Sequence, residues 1–253
     1  LETLGITTSG ILSNNTDIVY ELNKNNISLI DCSLTNLLSK DWEQISESDV
    51  KRLAENLEHN IVKINSIQSI FYNKNFDFSN SLDLKEIIKH LQTICDYAKI
   101  LKCKKILFGS PKQRQNSNNF VNFVKTFKNI DLLMNENDII FNIENLQYQD
   151  NVMLKESLDI INFIQLNDLK NCKLNLHLFV EDTDLEILNN TLIDTIHFSD
   201  YQYTDRIINE NSERLIQLIS NTKHLKQNKI LEFNTQKTNF TLKNINNLFD
   251  LSK

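Results

Sequence analysis

The sequence predicts an α/β fold of the closed (β/α)8 TIM barrel type, one domain spanning residues 1–253. Three observations carry that expectation. Short apolar runs alternate with segments of helical periodicity eight times, and no two of these runs are joined by a hairpin signal. The length of 253 residues suits a fold that closes at about 250 residues without dividing. Such alternation implies parallel strands joined by right-handed crossovers. A doubly wound open sheet shares the alternation but calls for a Gly-rich turn after its first strand; LGITTSGILS (4–13) has two glycines and no GxGxxG.

The elements follow in order. LETLGITTSGI (1–11) reads as a strand, and NTDIVYELNKNN (15–26) as a helix with Ile18 and Leu22 on one face. ISLIDCS (27–33) is the second strand; SESDVKRLAENLEHN (46–60) is a helix with Ser46 as N-cap and Val50, Leu53 and Leu57 in register. IVKINSIQSIFY (61–72) precedes the longest helical pattern, SLDLKEIIKHLQTICDYAKILK (81–102). CKKILFGS (103–110) is the fourth strand, where Gly109 and Pro111 flank Ser110 and predict a special backbone turn. A helix over 118–137 leads to DIIFNIEN (138–145), and one over 155–167 leads to CKLNLHLF (172–179). TDLEILNN (183–190), a short helix, leads to IDTIHFSD (193–200); a helix over 211–222 leads to KILEFN (229–234), and TLKNINNLFDLSK (241–253) closes as a helix.

Composition bounds the function. With 40% hydrophobic and 24% charged residues the chain is globular and holds ample core material. A net charge of −6 and a pI near 5.4 argue against a nucleic-acid partner, which calls for a clustered basic surface. Cys32, Cys95, Cys103 and Cys172 show no CxxC spacing, so a reduced, cytoplasmic setting is expected. No apolar stretch approaches 18 residues, and no membrane partner is expected.

Four polar residues carry the chemistry. Glu144, His177, His197 and Glu232 each stand near the C-terminal end of a different strand, the end where such barrels keep their reactive groups. Alternate strand residues share a face, so Asn142 with Glu144, and Asn175 with His177, project together into the mouth. A carboxylate inside an apolar strand is costly unless paired or bound to a cation. Two carboxylates and two imidazoles suit Mn²⁺, Zn²⁺, Co²⁺ or Mg²⁺, with nothing in the sequence to choose among them. Such a cation polarises a carbonyl while one carboxylate removes the neighbouring proton and another returns it. That is the chemistry of aldose–ketose isomerisation or of epimerisation beside a ketone. Lys112 and Arg114, with Ser110, are candidates for a substrate phosphate or carboxylate. Gln68 and Asp31 are candidates, by position, for sugar hydroxyls. Trp42 either walls a sugar pocket or packs a loop.

The stretches NSIQSIFY (65–72), ILFGSPKQR (106–114), FNIENLQ (141–147), IHFSD (196–200) and ILEFN (230–234) resemble the xylose isomerase-like barrels. The resemblance is to the sugar phosphate isomerase/epimerase group (AP endonuclease family 2), which also contains endonuclease IV. It runs over nearly the whole chain, and FGSPKxR is its most specific part. It implies a metal held by Glu on the fifth strand, Asp on the sixth, His on the seventh and Glu on the eighth, with the two Glu doubling as acid and base. On this chain those become Glu144, a sixth-strand position, His197 and Glu232.

The sixth strand departs from that pattern. KLNLHLFVED (173–182) places His177, or in another alignment Asn175, where the group has Asp followed by Gly. The extra metal histidines of endonuclease IV-type members are also missing, since the earlier strands end in Asp31, Gln68 and Ser110. The resemblance therefore implies a metal-dependent isomerase or epimerase of a sugar or sugar phosphate. The alternatives are a catalytically degenerate barrel that keeps a ligand- or partner-binding role, and, disfavoured by charge and missing histidines, a phosphodiester hydrolase.

Overall fold

A computed structural model describes residues 4–8, 18–115, 119–147, 149–179, 186–199, 201–202, 205–206, 213–222 and 224–232. Eight parallel strands close into a barrel in chain order: β1 (Leu4–Thr7), β2 (Leu29–Ser33), β3 (Lys63–Gln68), β4 (Lys105–Phe108), β5 (Ile140–Glu144), β6 (Cys172–Phe179), β7 (Ile193–Ser199) and β8 (Asn228–Leu231). Closure is made by β1 against β8, with Leu4 opposite Lys229 and Ile6 opposite Leu231. Gly5 lies where a Cβ would come within 2.7 Å of the Leu29 carbonyl oxygen, so only a bare backbone lets β1 and β2 approach this closely.

Among the described residues six α-helices of seven residues or more surround the strands: α1 (Ile18–Lys24), α2 (Glu47–His59), α3 (Leu84–Ile100), α4 (Phe120–Asn137), α5 (Ser157–Leu166) and α6 (Glu213–Asn221). Ser46 caps α2 by accepting from the Asp49 amide at 3.3 Å, while the Asp49 carboxylate accepts from the Ser46 amide at 3.0 Å. This reciprocal pair satisfies two donors that the helix cannot satisfy itself. The helix expected over 183–190 is, where described, a 3-10 turn at Glu186–Asn189. The one expected over 241–253 lies outside the described residues. A helical turn at Leu34–Leu37, 3-10 turns at Trp42–Gln44 and Pro111–Arg114, and a ribbon pairing Tyr201–Gln202 with Asp205–Arg206 were not anticipated. Each is too short to leave a periodic signal.

The apolar core lies between barrel and helices. Outward-facing Phe108 and Phe141 meet Phe78, Phe123, Phe127 and Phe163 in a continuous aromatic cluster, with Phe78 and Phe108 stacked at 4.9 Å. Trp42 is buried and packs edge-on against His90 at 5.4 Å. It packs the loop after β2. All four cysteines are buried and free. Among the described residues no helix is long and apolar enough to cross a membrane.

The barrel interior is polar. Two β-bulges supply part of it. Between β2 and β3 the partner of Ile30 is Ile64 and that of Asp31 is Ser66, which leaves Asn65 unpaired. Between β6 and β7 the partners of Leu174 and Asn175 are Ile193 and Thr195, which leaves Asp194 unpaired. A bulge re-aims the extra side chain, and here both turn into the barrel. Asn65 donates to Asp31 Oδ1 at 2.7 Å and accepts from Asn228 at 2.8 Å. Asp194 pairs with Lys105 at 2.6 Å and accepts from Asn142 at 2.8 Å. These groups form a hydrogen-bonded floor beneath the mouth.

Candidate active site

The strand ends bring the expected residues to one place. Glu144 ends β5, and His177 and His197 stand opposite each other on β6 and β7. Glu232 follows β8, its amide donating to the Phe198 carbonyl at 2.9 Å. His177 sits between the two carboxylates: Nδ1 is 3.4 Å from Glu144 Oε1 and Nε2 is 3.5 Å from Glu232 Oε2. Its Nε2 also meets the Ser199 hydroxyl at 2.8 Å. One ligand atom from each of Glu144, His177 and Glu232 lies within 4.8 Å of the others. Bonds to a cation such as Zn²⁺ are about 2.0–2.2 Å long, so a small rotation of the carboxylates brings the three onto one ion. The donor set of two carboxylates and one imidazole fits such an ion.

His197 stands one step behind. Its Nε2 lies 2.6 Å from Asp31 Oδ2, a contact that crosses the barrel from β7 to β2 and demands a proton on that nitrogen. Its buried Nδ1 is 3.2 Å from Glu144 Oε1 but makes no hydrogen bond. A carboxylate holding one ring nitrogen so that the other faces the ligand space is the arrangement that orients metal-binding histidines. Burial opposes charge on His197, but the Asp31 and Glu144 carboxylates overcome it and push the imidazole up to about 10. Burial likewise opposes ionisation of Glu144, and the imidazoles of His177 and His197 overcome it, holding this carboxyl well below the usual range.

Several supports escaped the sequence reading. Asn145 clamps β5 to β6, accepting from the His177 amide at 2.6 Å and donating to the His177 carbonyl at 3.0 Å. Ser199 shares a face with His197, two residues on, and that alternation is the signal that could have found it. Asn175, expected as a supporter of His177, instead donates to Glu144 Oε1 at 3.3 Å. Gly109 corrects an expectation: no glycine among the described residues has positive φ. What matters is space, because a Cβ there would stand 2.4 Å from Glu144 Oε2. The unusual backbone falls on Ser110, half-buried at φ 0 and ψ 81.

The expected substrate-binding residues lie elsewhere in the network. Arg114 is wholly buried, donating to the carbonyls of Glu144 at 2.6 Å, Met153 at 3.1 Å and Gly109 at 3.3 Å, and to that of Leu154. Its cation also lies over the Phe108 ring at 5.7 Å. Burial pulls the guanidinium down to about 9, with Glu144 opposing. Arg114 thus braces the strand ends from behind, its donors spent on backbone. Lys112 is exposed and donates to Asn75. Gln68 is buried and donates to the Thr7 hydroxyl and to the Asp31 carbonyl at 3.4 Å. Asp31, fully buried, gives both carboxylate oxygens to His197 and Asn65.

No family model matches this sequence, and no curated protein matches it. Solved structures do. The probable 3-DHS dehydratase AsbF from Bacillus anthracis matches with a TM-score of 0.71 at 16% identity, over 100% of this chain and 99% of that one. The IOLI protein, solved with a binding zinc atom, matches with a TM-score of 0.71 at 13% identity, over 100% and 96%. A D-psicose 3-epimerase from Clostridium cellulolyticum H10 matches with a TM-score of 0.70 at 10% identity, over 100% and 98%. An AP endonuclease of family 2 and xylose isomerase domain proteins are similar in the same way. Their different activities on one fold mean that likeness alone assigns no reaction. The chain shares with these proteins the (β/α)8 barrel fold.

Proposed function

We propose that this protein is a metal-dependent isomerase or epimerase that moves a proton on a carbon next to the carbonyl of a sugar or sugar phosphate. The observation that carries this reading is the placement of Glu144 and Glu232 on either side of His177 at the C-terminal mouth. Glu144, His177 and Glu232 would hold a divalent cation, with His197 oriented toward the same space by Asp31. When bound, that cation polarises the substrate carbonyl and stabilises the charge that develops on its oxygen. One carboxylate takes the proton from the adjacent carbon and the other returns it. Asp31 of the polar floor holds the His197 imidazole and Ser199 meets that of His177, so the groups beside the carboxylates are positioned before transfer. The sugar epimerase and the zinc-bearing barrel among the similar structures support this reading.

Metal binding is its first test. Titration of chelator-treated protein with Mn²⁺, Co²⁺ and Zn²⁺ is expected to show one site. At a hundredfold excess over Kd the cation should add about 2.7 kcal/mol of stability, a rise of about 5–10 °C in Tm for a chain of this size. Absence of any bound cation leaves the degenerate, ligand-binding barrel as the better account. Deuterium exchange beside the carbonyl, screened over ketoses and their phosphates, then identifies the substrate.

Gly109→Ala probes the geometry. The new methyl group drives the Glu144 carboxylate from its position, and cation affinity is expected to fall by about 10–100-fold, the range seen when supports of a metal ligand are lost. Unchanged affinity in calorimetry would show that Glu144 has another way to reach the ion.

A further inference from the structure

We propose that a cavity on the β2–β3 side of the mouth is a subsite for a second, uncharged sugar ring, so that the substrate is a ketose-containing disaccharide or other glycoside. This rests on the sugar chemistry proposed above and specifies its substrate. The cavity measures about 410 Å³, within the range of small-molecule sites. Ser33, Thr35, Asn36, Gln44, Ser69 and Tyr72 contribute to its lining. Ser33 ends β2 two residues beyond Asp31, on the same face and about 7 Å nearer the rim. Ser69 and Tyr72 follow β3 in the same way, so the cavity stands at the same end of the barrel as the Glu144–His177–Glu232 cluster, beside strands that lie across the barrel from β6.

The lining selects a ligand class. Serine and threonine hydroxyls and the carboxamides of Asn36 and Gln44 offer donors and acceptors together, which matches a polyol and not an apolar group. The cation in the lining is committed, since Lys40 is paired with Asp49 at 2.7 Å, and the Asp41 carboxylate, which accepts from Asn73 at 3.1 Å, adds a negative charge. A phosphate would find no uncommitted cation there, whereas a neutral ring needs none. Tyr72 is 58% exposed and supplies an aromatic surface with a polar tip at the rim. The wall is held in place before any ligand arrives. The Ser33 backbone amide donates to the Thr8 hydroxyl at 2.8 Å, and the Asn36 side-chain Nδ2 donates to the Thr8 carbonyl. Such preorganisation lowers the ordering cost of binding.

Calorimetry on the intact protein, with and without added Mn²⁺, compares fructose with the ketose-terminated disaccharides lactulose, palatinose and turanose. At least one disaccharide is expected to bind about tenfold more tightly than fructose. Tyr72→Ala and Thr35→Val should each shrink that advantage below threefold while leaving fructose affinity unchanged; Tyr72 is exposed and Thr35→Val nearly isosteric, so neither threatens folding. The subsite is overturned by an advantage below threefold across the disaccharides, or by one that survives both substitutions. The two proposals fail separately. Disaccharide preference without cation binding or deuterium exchange would keep the subsite and remove the isomerase reading, and exchange on fructose without that preference would do the reverse.

Discussion

Glu144→Gln is expected to slow deuterium exchange beside a ketose carbonyl by about 10²–10⁴-fold, the usual contribution of a positioned acid or base. Gln fills the same space, which matters because Gly109 leaves room for this carboxylate and little else. The amide keeps the shape and the contact with Asn175. It loses the charge that two imidazoles face and the ability to carry a proton. Glu232→Gln, across His177, is expected to fall in the same range. Single-turnover exchange followed by NMR, with substrate binding measured alongside, separates loss of chemistry from loss of affinity. Undiminished exchange in either variant removes that carboxylate from the mechanism.

Asp31→Asn should cost about 3–5 kcal/mol of stability at neutral pH, the range for removing one partner of a buried ion pair. Asp31 and His197 are both almost wholly enclosed, so water does not make up for the lost negative charge. The pH dependence has a definite sign. His197 is raised in the folded protein to about 10 from an ordinary 6.5, so its contribution is complete below about pH 6.5 and drains away as pH rises toward 10. Glu144 is depressed from an ordinary 4.5, so its contribution is present above about pH 4.5 and is lost as pH falls further. Metal-free protein is therefore expected to be most stable between about pH 4.5 and 6.5, and Asp31→Asn to lose its alkaline slope at lower pH. Urea unfolding in chelator from pH 4 to 10 measures this. A flat wild-type curve above pH 6.5 would sink the ion-pair interpretation.

These predictions combine residues that differ in how openly the sequence shows them. The strands were legible because parallel strands buried on their outer face leave dense apolar runs, and β6 was bounded to the residue as Cys172–Phe179. Glu144, His177, His197 and Glu232 were legible because a parallel barrel brings every strand's C-terminal end to one mouth. Their ranking was not. Asp31 reaches His197 across 166 residues of sequence, and no local pattern reports a contact made by barrel closure. Arg114 reads as a loop cation, yet the chain folds it beneath Gly109 and Glu144, where only the tertiary structure reveals four carbonyls waiting for donors. Gly109 was noticed for its freedom of backbone, when its missing side chain was the relevant property.

The polar floor bears on how this chain folds. Asn228 lies 163 positions along the chain from its partner Asn65, and Asp194 of β7 reaches Lys105 of β4 and Asn142 of β5, so these partners arrive only as distant strands gather round the interior. A half-assembled barrel would expose polar interior groups with nothing to bind them, at roughly 1–3 kcal/mol for each one left dry. Closure is thus the step that rewards the chain, and contacts of such long range make for slow, cooperative folding. Hydrogen exchange during refolding should show the interior amides of β2 and β7 gaining protection together and late, as a single event.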